Sequence, residues 1–219
     1  IKIGDLLIDP IKVNHSIPDT YGIHFSVMNK ISLFLISDFK VDHQTPYEHP
    51  FDFKKLNKVS KGFAKKVLLA DSTNILSSQL KTPSEIEIKV PLAKIIRSES
   101  QNIFVTTFSS NVHRIQTLID ICSVEKIPVI AIGRSMKSYI ETALDTGDLI
   151  ATRKINFELS PDISQSKIKL FILSGCQADF RSALRRVITG NDKYIKAKKG
   201  DALIMSSKSI PGNEKKIGM

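Results

Sequence analysis

An α/β fold is the prediction for these 219 residues, and three observations carry it. The first part of the chain sets short apolar runs between turn residues, as strands do. From about residue 84 onward, apolar runs of strand length alternate with segments of helical period. Apolar residues make up 42% of the chain, enough to bury a real core. Fully apolar strands joined through helices imply a parallel sheet covered on both faces.

Each element follows from its residues. "DLLIDPIKV", "IHFSVM", "ISLFLIS" and "KKVLLA" read as short strands joined by "YGI" and "MNK", and an antiparallel arrangement fits the first 76 residues best. "SEIEIKVPLAKIIRS" opens on Ser84 as a cap and places Ile88, Leu92 and Ile95 at helical spacing. Pro91 is expected to kink or break that helix. "NIFVTTF" (102–108) is a strand, and residues 109–123 form a helix capped by Ser or Asn with Val112, Ile115, Leu118, Ile119 and Cys122 on one face. "IPVIAIG" (127–133) is a second strand, leading into a helix that closes at Gly147. Residues 167–175 and 177–190 repeat the theme, and "DALIMSS" (201–207) opens another unit.

In a parallel sheet the loops after each strand gather at the carboxyl edge, beside helix N-termini. Here those loops are "FSSNVHR", "GRSMK", "SGCQ" and "SSKSIPGNE", rich in hydroxyl, amide and basic side chains. In any one loop such residues are first of all helix caps, but four such loops at one edge, two of them carrying His113–Arg114 and Arg134, point towards an anion groove.

Composition narrows the class. No apolar run approaches the roughly 18 residues of a membrane span, and the N-terminus lacks the pattern of a signal peptide, so a soluble, cytosolic protein without a membrane partner is expected. Cys122 and Cys176 lie in apolar runs outside any CxxC pattern and read as reduced, buried thiols. The net charge of +10 favours a polyanionic partner, although the lysines are scattered and also fit a solvated surface. The chain opens on Ile1 within a strand-like run and reads as a piece of a longer protein.

His15 and Asp38 each end an apolar strand. Imidazole and carboxylate together form part of a ligand set for zinc or manganese. By spacing alone, a hydrogen-bonded core histidine beside a turn-capping aspartate is the better account of the pair. His24, His43 and His49 receive no role, the last two flanking the turn-like "QTPYE".

"VNHSIPDTYGI", "SDFKVD", "LLADSTN", "VTTFSSNVHRIQTLID", "IPVIAIGRSM", "ILSGCQADFRSALRRV" and "GDALIMSSKSIPGNE" resemble, in order, successive motifs of the ribonuclease J family. The resemblance implies part of a metallo-β-lactamase αββα sandwich over residues 1–76 and most of a β-CASP domain, a parallel sheet flanked by helices, over 77–219. It also implies that His15 and Asp38 are metal ligands, that Asp71 and His113 are catalytic, and that Ser110, Asn111, His113 and Arg114 contact RNA. Such enzymes use two zinc or manganese ions to hydrolyse RNA, exonucleolytically from a 5′-monophosphate end or internally, and form homo-oligomers. The family's HxHxDH motif and its C-terminal histidine-glycine motif have no counterpart in these residues, so the segment alone is expected to be inactive. A non-catalytic RNA-binding or assembly subunit with degenerate ligands is the alternative.

Overall fold

Tight turns and a single crossover helix arrange the first five strands. The computed structural model describes residues 1–28, 30–76, 81–159, 166–177, 179, 181–193, 195–208, 210 and 212–218. The stretch "SSQL" (77–80) and Ala178 and Phe180 of the 177–190 helix expectation lie outside the described residues. The chain divides into two compact units, Ile1–Ile88 and Lys89–Met219.

In the first unit, β1 (Lys2–Ile3), β2 (Leu6–Lys12), β3 (Tyr21–Val27), β4 (Ile31–Ile36) and β5 (Lys65–Ala70) form one sheet in that order. β1 to β4 are antiparallel, as expected. β5 departs from the expectation: it pairs with β4 in parallel, Ile36 opposite Ala70. The reason is α1 (Phe53–Val59), which lies between them and supplies the crossover that parallel neighbours need. Ile11, Val13, Phe34, Ile36 and Phe51 form the core, with Phe51 stacked on Phe53 at 4.2 Å between ring centroids.

β3 buries Gly22, His24 and Ser26, and β4 answers with Ser32, Phe34 and Ile36. His24, which received no role from sequence, is fully buried, with Nε2 2.8 Å from the Ser32 hydroxyl and Nδ1 3.7 Å from Asp9. It is therefore a hydrogen-bonded core histidine.

The unit boundary falls within α2 (Glu85–Ser98). Pro91 does not break this helix. Pro91 and Glu87 are both exposed, so water can take the Glu87 carbonyl that loses its partner. The buried stripe is Leu92, Ala93 and Ile96; Ile88 is half-buried and Ile95 exposed, a rotation from the expected face.

The second unit holds a parallel sheet in the order β10 (Ala202–Met205), β6 (Ile103–Thr106), β9 (Leu170–Leu173), β7 (Val129–Ile132) and β8 (Ile155–Asn156). Phe104 and Phe171 stack at 4.9 Å, and with Ile130 and Leu173 they pack against Leu184, Val187 and Ile195. α3 (Val112–Val124) buries all five expected residues but is buried almost all round. α4 (Arg134–Thr146) ends at Gly147 as expected. The helix expected over 177–190 is shorter, α5 (Ala183–Ile188), because Ser182 caps it by accepting from the Arg185 N–H. A last short helix, α6, spans Glu214–Ile217. Both cysteines are buried, and burial pushes the Cys122 thiol up to about 12. Among the described residues no helix is long and apolar enough to cross a membrane.

Candidate functional site

β2, β4 and β5 run in one direction, because β3 is antiparallel to β2 and β4 while β5 is parallel to β4. Their carboxyl ends therefore lie at a single edge of the first sheet. The segments leaving that edge carry His15, Asp38 and Asp71, so the topology gathers three residues that are far apart in sequence.

His15 Nε2 stands 4.0 Å from Asp38 Oδ2, too far for a hydrogen bond, with the Asp38 side chain 70% exposed. The Asp71 backbone N–H donates to the Ile36 carbonyl at 3.2 Å, holding the two strand ends together. Asp71 Oδ1 accepts from the Thr73 hydroxyl at 2.5 Å and the Thr73 N–H at 3.0 Å. Those two bonds, aided by the Ser72 N–H and the nearby His15, hold the Asp71 carboxyl below the usual carboxylate range. Asp71 is thus an oriented carboxylate.

Asn14 was passed over by sequence reasoning. It is fully buried, donates to Glu48 Oε1 at 3.1 Å and the His49 carbonyl at 2.9 Å, and accepts from the Phe51 N–H at 3.0 Å. Its backbone also pairs with Lys40, where the carbonyl accepts from the Lys40 N–H at 2.9 Å. These bonds anchor the residue before His15 to both neighbouring loops. An asparagine ending an apolar strand was the only available signal.

The donor chemistry fits part of a metal centre. Ligands about 2.0–2.2 Å from a tetrahedral zinc stand about 3.4 Å apart. The 4.0 Å between His15 and Asp38 needs only a small rotamer change to reach that separation, and among the described residues neither facing atom makes a hydrogen bond. Asp71 Oδ1 is committed to Thr73. Among the described residues no three His, Cys, Asp or Glu side chains come together closely enough to hold a metal.

In the second unit the loop after β6 carries the other predicted residues. Asn111 caps α3, its side chain accepting from the Arg114 N–H at 3.0 Å. Arg114 is 9% exposed, and its guanidinium donates to the hydroxyl of Ser206 after β10. His113 is 2% exposed, and Ser110 is half-buried. The arginine therefore ties two loops of the carboxyl edge together. Gln177, another residue missed from sequence, does the same for the loops after β9 and β10: it donates to the Lys208 carbonyl at 3.0 Å and accepts from the Ile210 N–H at 2.8 Å.

The loops after β6, β7 and β9 surround a cavity of about 680 Å³. Gly133, Arg134 and Ser135 come from the β7 end, Ser109 from the β6 end, and Ser174 to Gln177 from the β9 end. Ser109 and Ser135 hydroxyls bond at 3.0 Å across it. The sequence-level gathering of hydroxyl and basic side chains at one edge is present in the fold.

The family model described as "Ribonuclease J, beta-CASP domain" matches residues 100–219. The chain belongs to the ribonuclease J family. Ribonuclease J from Sinorhizobium meliloti is 29% identical over 221 residues, covering 99% of this chain and 38% of the relative. Ribonuclease J from Helicobacter pylori is 31% identical over 218 residues, covering 99% of this chain and 31% of the relative. The Thermus thermophilus protein of the same name is 35% identical over 152 residues, 69% of this chain and 26% of its own. The chain thus spans between 26% and 38% of the length of these relatives. A crystal structure of a protein of unknown function from Enterococcus faecalis V583 matches with a TM-score of 0.51 at 13% identity, over 93% of this chain and 55% of that one, a likeness of fold alone.

Proposed function

We propose that the chain is part of a metal-dependent ribonuclease J. Residues 1 to 76 would contribute to a metallo-β-lactamase αββα sandwich, and residues 77 to 219 would form most of the β-CASP domain. The convergence of His15, Asp38 and Asp71 at one sheet edge carries this reading. His15 and Asp38 would supply one nitrogen and one carboxylate donor to a centre for two zinc or manganese ions. The chemistry such ions would supply is Lewis acidity toward a water and the phosphodiester of RNA. Asn14 fixes the backbone before His15, and Thr73 keeps Asp71 ionised and aimed.

RNA, with a 5′-monophosphate end preferred, is the proposed substrate. In the second unit, Ser110 is the group left to meet it, while Asn111 and Arg114 hold the loop. The 219-residue segment alone lacks a full ligand set in this reading and does not hydrolyse RNA.

The test uses the full-length protein that carries these residues, assayed on 5′-monophosphorylated RNA with zinc or manganese. His15→Ala is expected to lower kcat/KM by about a hundredfold or more, with the fold intact by circular dichroism. Wild-type protein that binds RNA but does not cleave it with either metal would overturn this reading in favour of a non-catalytic RNA-binding subunit.

A further inference from the structure

We infer that the lysine face of α1, in the first unit, is an accessory grip on the backbone of single-stranded RNA, outside the His15–Asp38 pair itself. Between Asp52 and Asp71 the chain carries six lysines and no Asp or Glu. Lys54, Asn57, Lys58 and Lys61 recur at helical spacing and are all exposed, so they form one stripe along α1 and the turn that follows it. Lys66 extends the stripe. It is exposed and pairs with Ser32 on the sheet face of Phe34 and Ile36, which α1 covers with Leu56 and Val59.

These cations are uncommitted. Elsewhere in the unit Lys12 meets Glu48 at 2.9 Å and Lys40 meets Asp42 at 3.1 Å. Lys54, Lys58, Lys61 and Lys66 make no side-chain hydrogen bond or ion pair among the described residues. Asp52, the acid that precedes them, is occupied in capping α1, where it accepts from the Lys55 N–H at 2.8 Å. Ammonium groups lined up without counter-charges favour a polyanion, which gains affinity by releasing its own counterions.

The stripe also has a direction. The Asp52 N–H donates to the Lys12 carbonyl at the end of β2, so α1 starts at the sheet edge that carries His15. Lys66 lies near the start of β5, opposite the start of β4, and therefore towards the other edge. A strand held at the first edge can continue along the lysines. The outward stripe holds only lysines and an asparagine, with no apolar side chain to insert into a bilayer, so a phosphodiester chain fits it better than a lipid surface. That the polyanion is RNA rests on the proposed function; the cationic stripe does not.

The test measures RNA binding by the full-length protein in EDTA, which needs neither metal nor turnover. Fluorescence anisotropy follows single-stranded uridine RNA of about 30 and about 6 nucleotides over a potassium chloride series. One triple variant carries Lys54→Gln, Lys58→Gln and Lys61→Gln, exposed side chains that hold nothing else in place. For the long RNA, the slope of log affinity against log salt is expected to shrink by about 2, since each neutralised phosphate of a single strand contributes about 0.7. Affinity for the long RNA at low salt should fall about tenfold or more, with the short RNA little changed. A wild-type slope and affinity in the triple variant would overturn the inference. Loss of binding to phosphatidylglycerol vesicles with RNA binding unchanged would overturn it too, in favour of a membrane surface. The proposed function fails separately: a protein that cleaves no RNA with zinc or manganese, yet shows the lysine-dependent slope, would leave this surface standing.

Discussion

Gly175→Ala is expected to destabilise the second unit by about 3 kcal/mol or more. Gly175 follows β9 with φ +101°, a backbone region that side-chain-bearing residues rarely adopt. A Cβ built there would overlap the Cβ of Ser182 and come within 3.3 Å of its Cα. Ser182 cannot move aside, because it is 9% exposed and its hydroxyl accepts from the Arg185 N–H at 3.3 Å to cap α5. Backbone strain and overpacking each contribute about 1–3 kcal/mol, and they act together. Urea unfolding of the 219-residue chain, followed by circular dichroism, measures the loss. A cost below about 1 kcal/mol would mean that the β9 turn is not the one described.

Asn14→Ala is expected to cost the first unit about 2–4 kcal/mol, far more than a surface asparagine would. The side chain serves the Phe51 N–H, the His49 carbonyl and Glu48 in a fully dry position. Alanine leaves the first two without their partner. Asn14→Asp is the sharper control: it keeps the acceptor for Phe51 but turns the donor toward His49 and Glu48 into an acceptor. Both variants should lower the urea midpoint, Asp no less than Ala. A midpoint within experimental error of wild type would show that the loop 48–51 does not depend on Asn14.

Much of the fold was legible because most of the second unit's strands are short apolar runs that alternate with segments of helical period. Gly147 and the buried face of α3 follow from local spacing alone. The direction of β5 was not legible, since "KKVLLA" has the same alternation in either direction and the deciding element is α1, which sequence reading did not single out. Pro91 misled for a related reason. Its cost depends on whether the freed carbonyl meets water, and that is set by packing.

The candidate site divided in the same way. Motif resemblance located His15, Asp38 and Asp71, but only the parallel pairing of β4 and β5 explains why they share an edge. Arg114 looked like a basic loop residue, whereas its bond to Ser206 spans 92 residues and leaves no trace in local pattern. Asn14 and Gln177 were illegible for the same cause: their partners are set by the tertiary fold.

Metal content tests the central claim most directly. The full-length protein, loaded with zinc and dialysed, should retain two equivalents per chain by atomic absorption. His15→Ala and Asp38→Asn should each lose metal while keeping the wild-type circular dichroism spectrum. Equal zinc in wild type and both variants would contradict the assignment of this sheet edge as part of a metal centre.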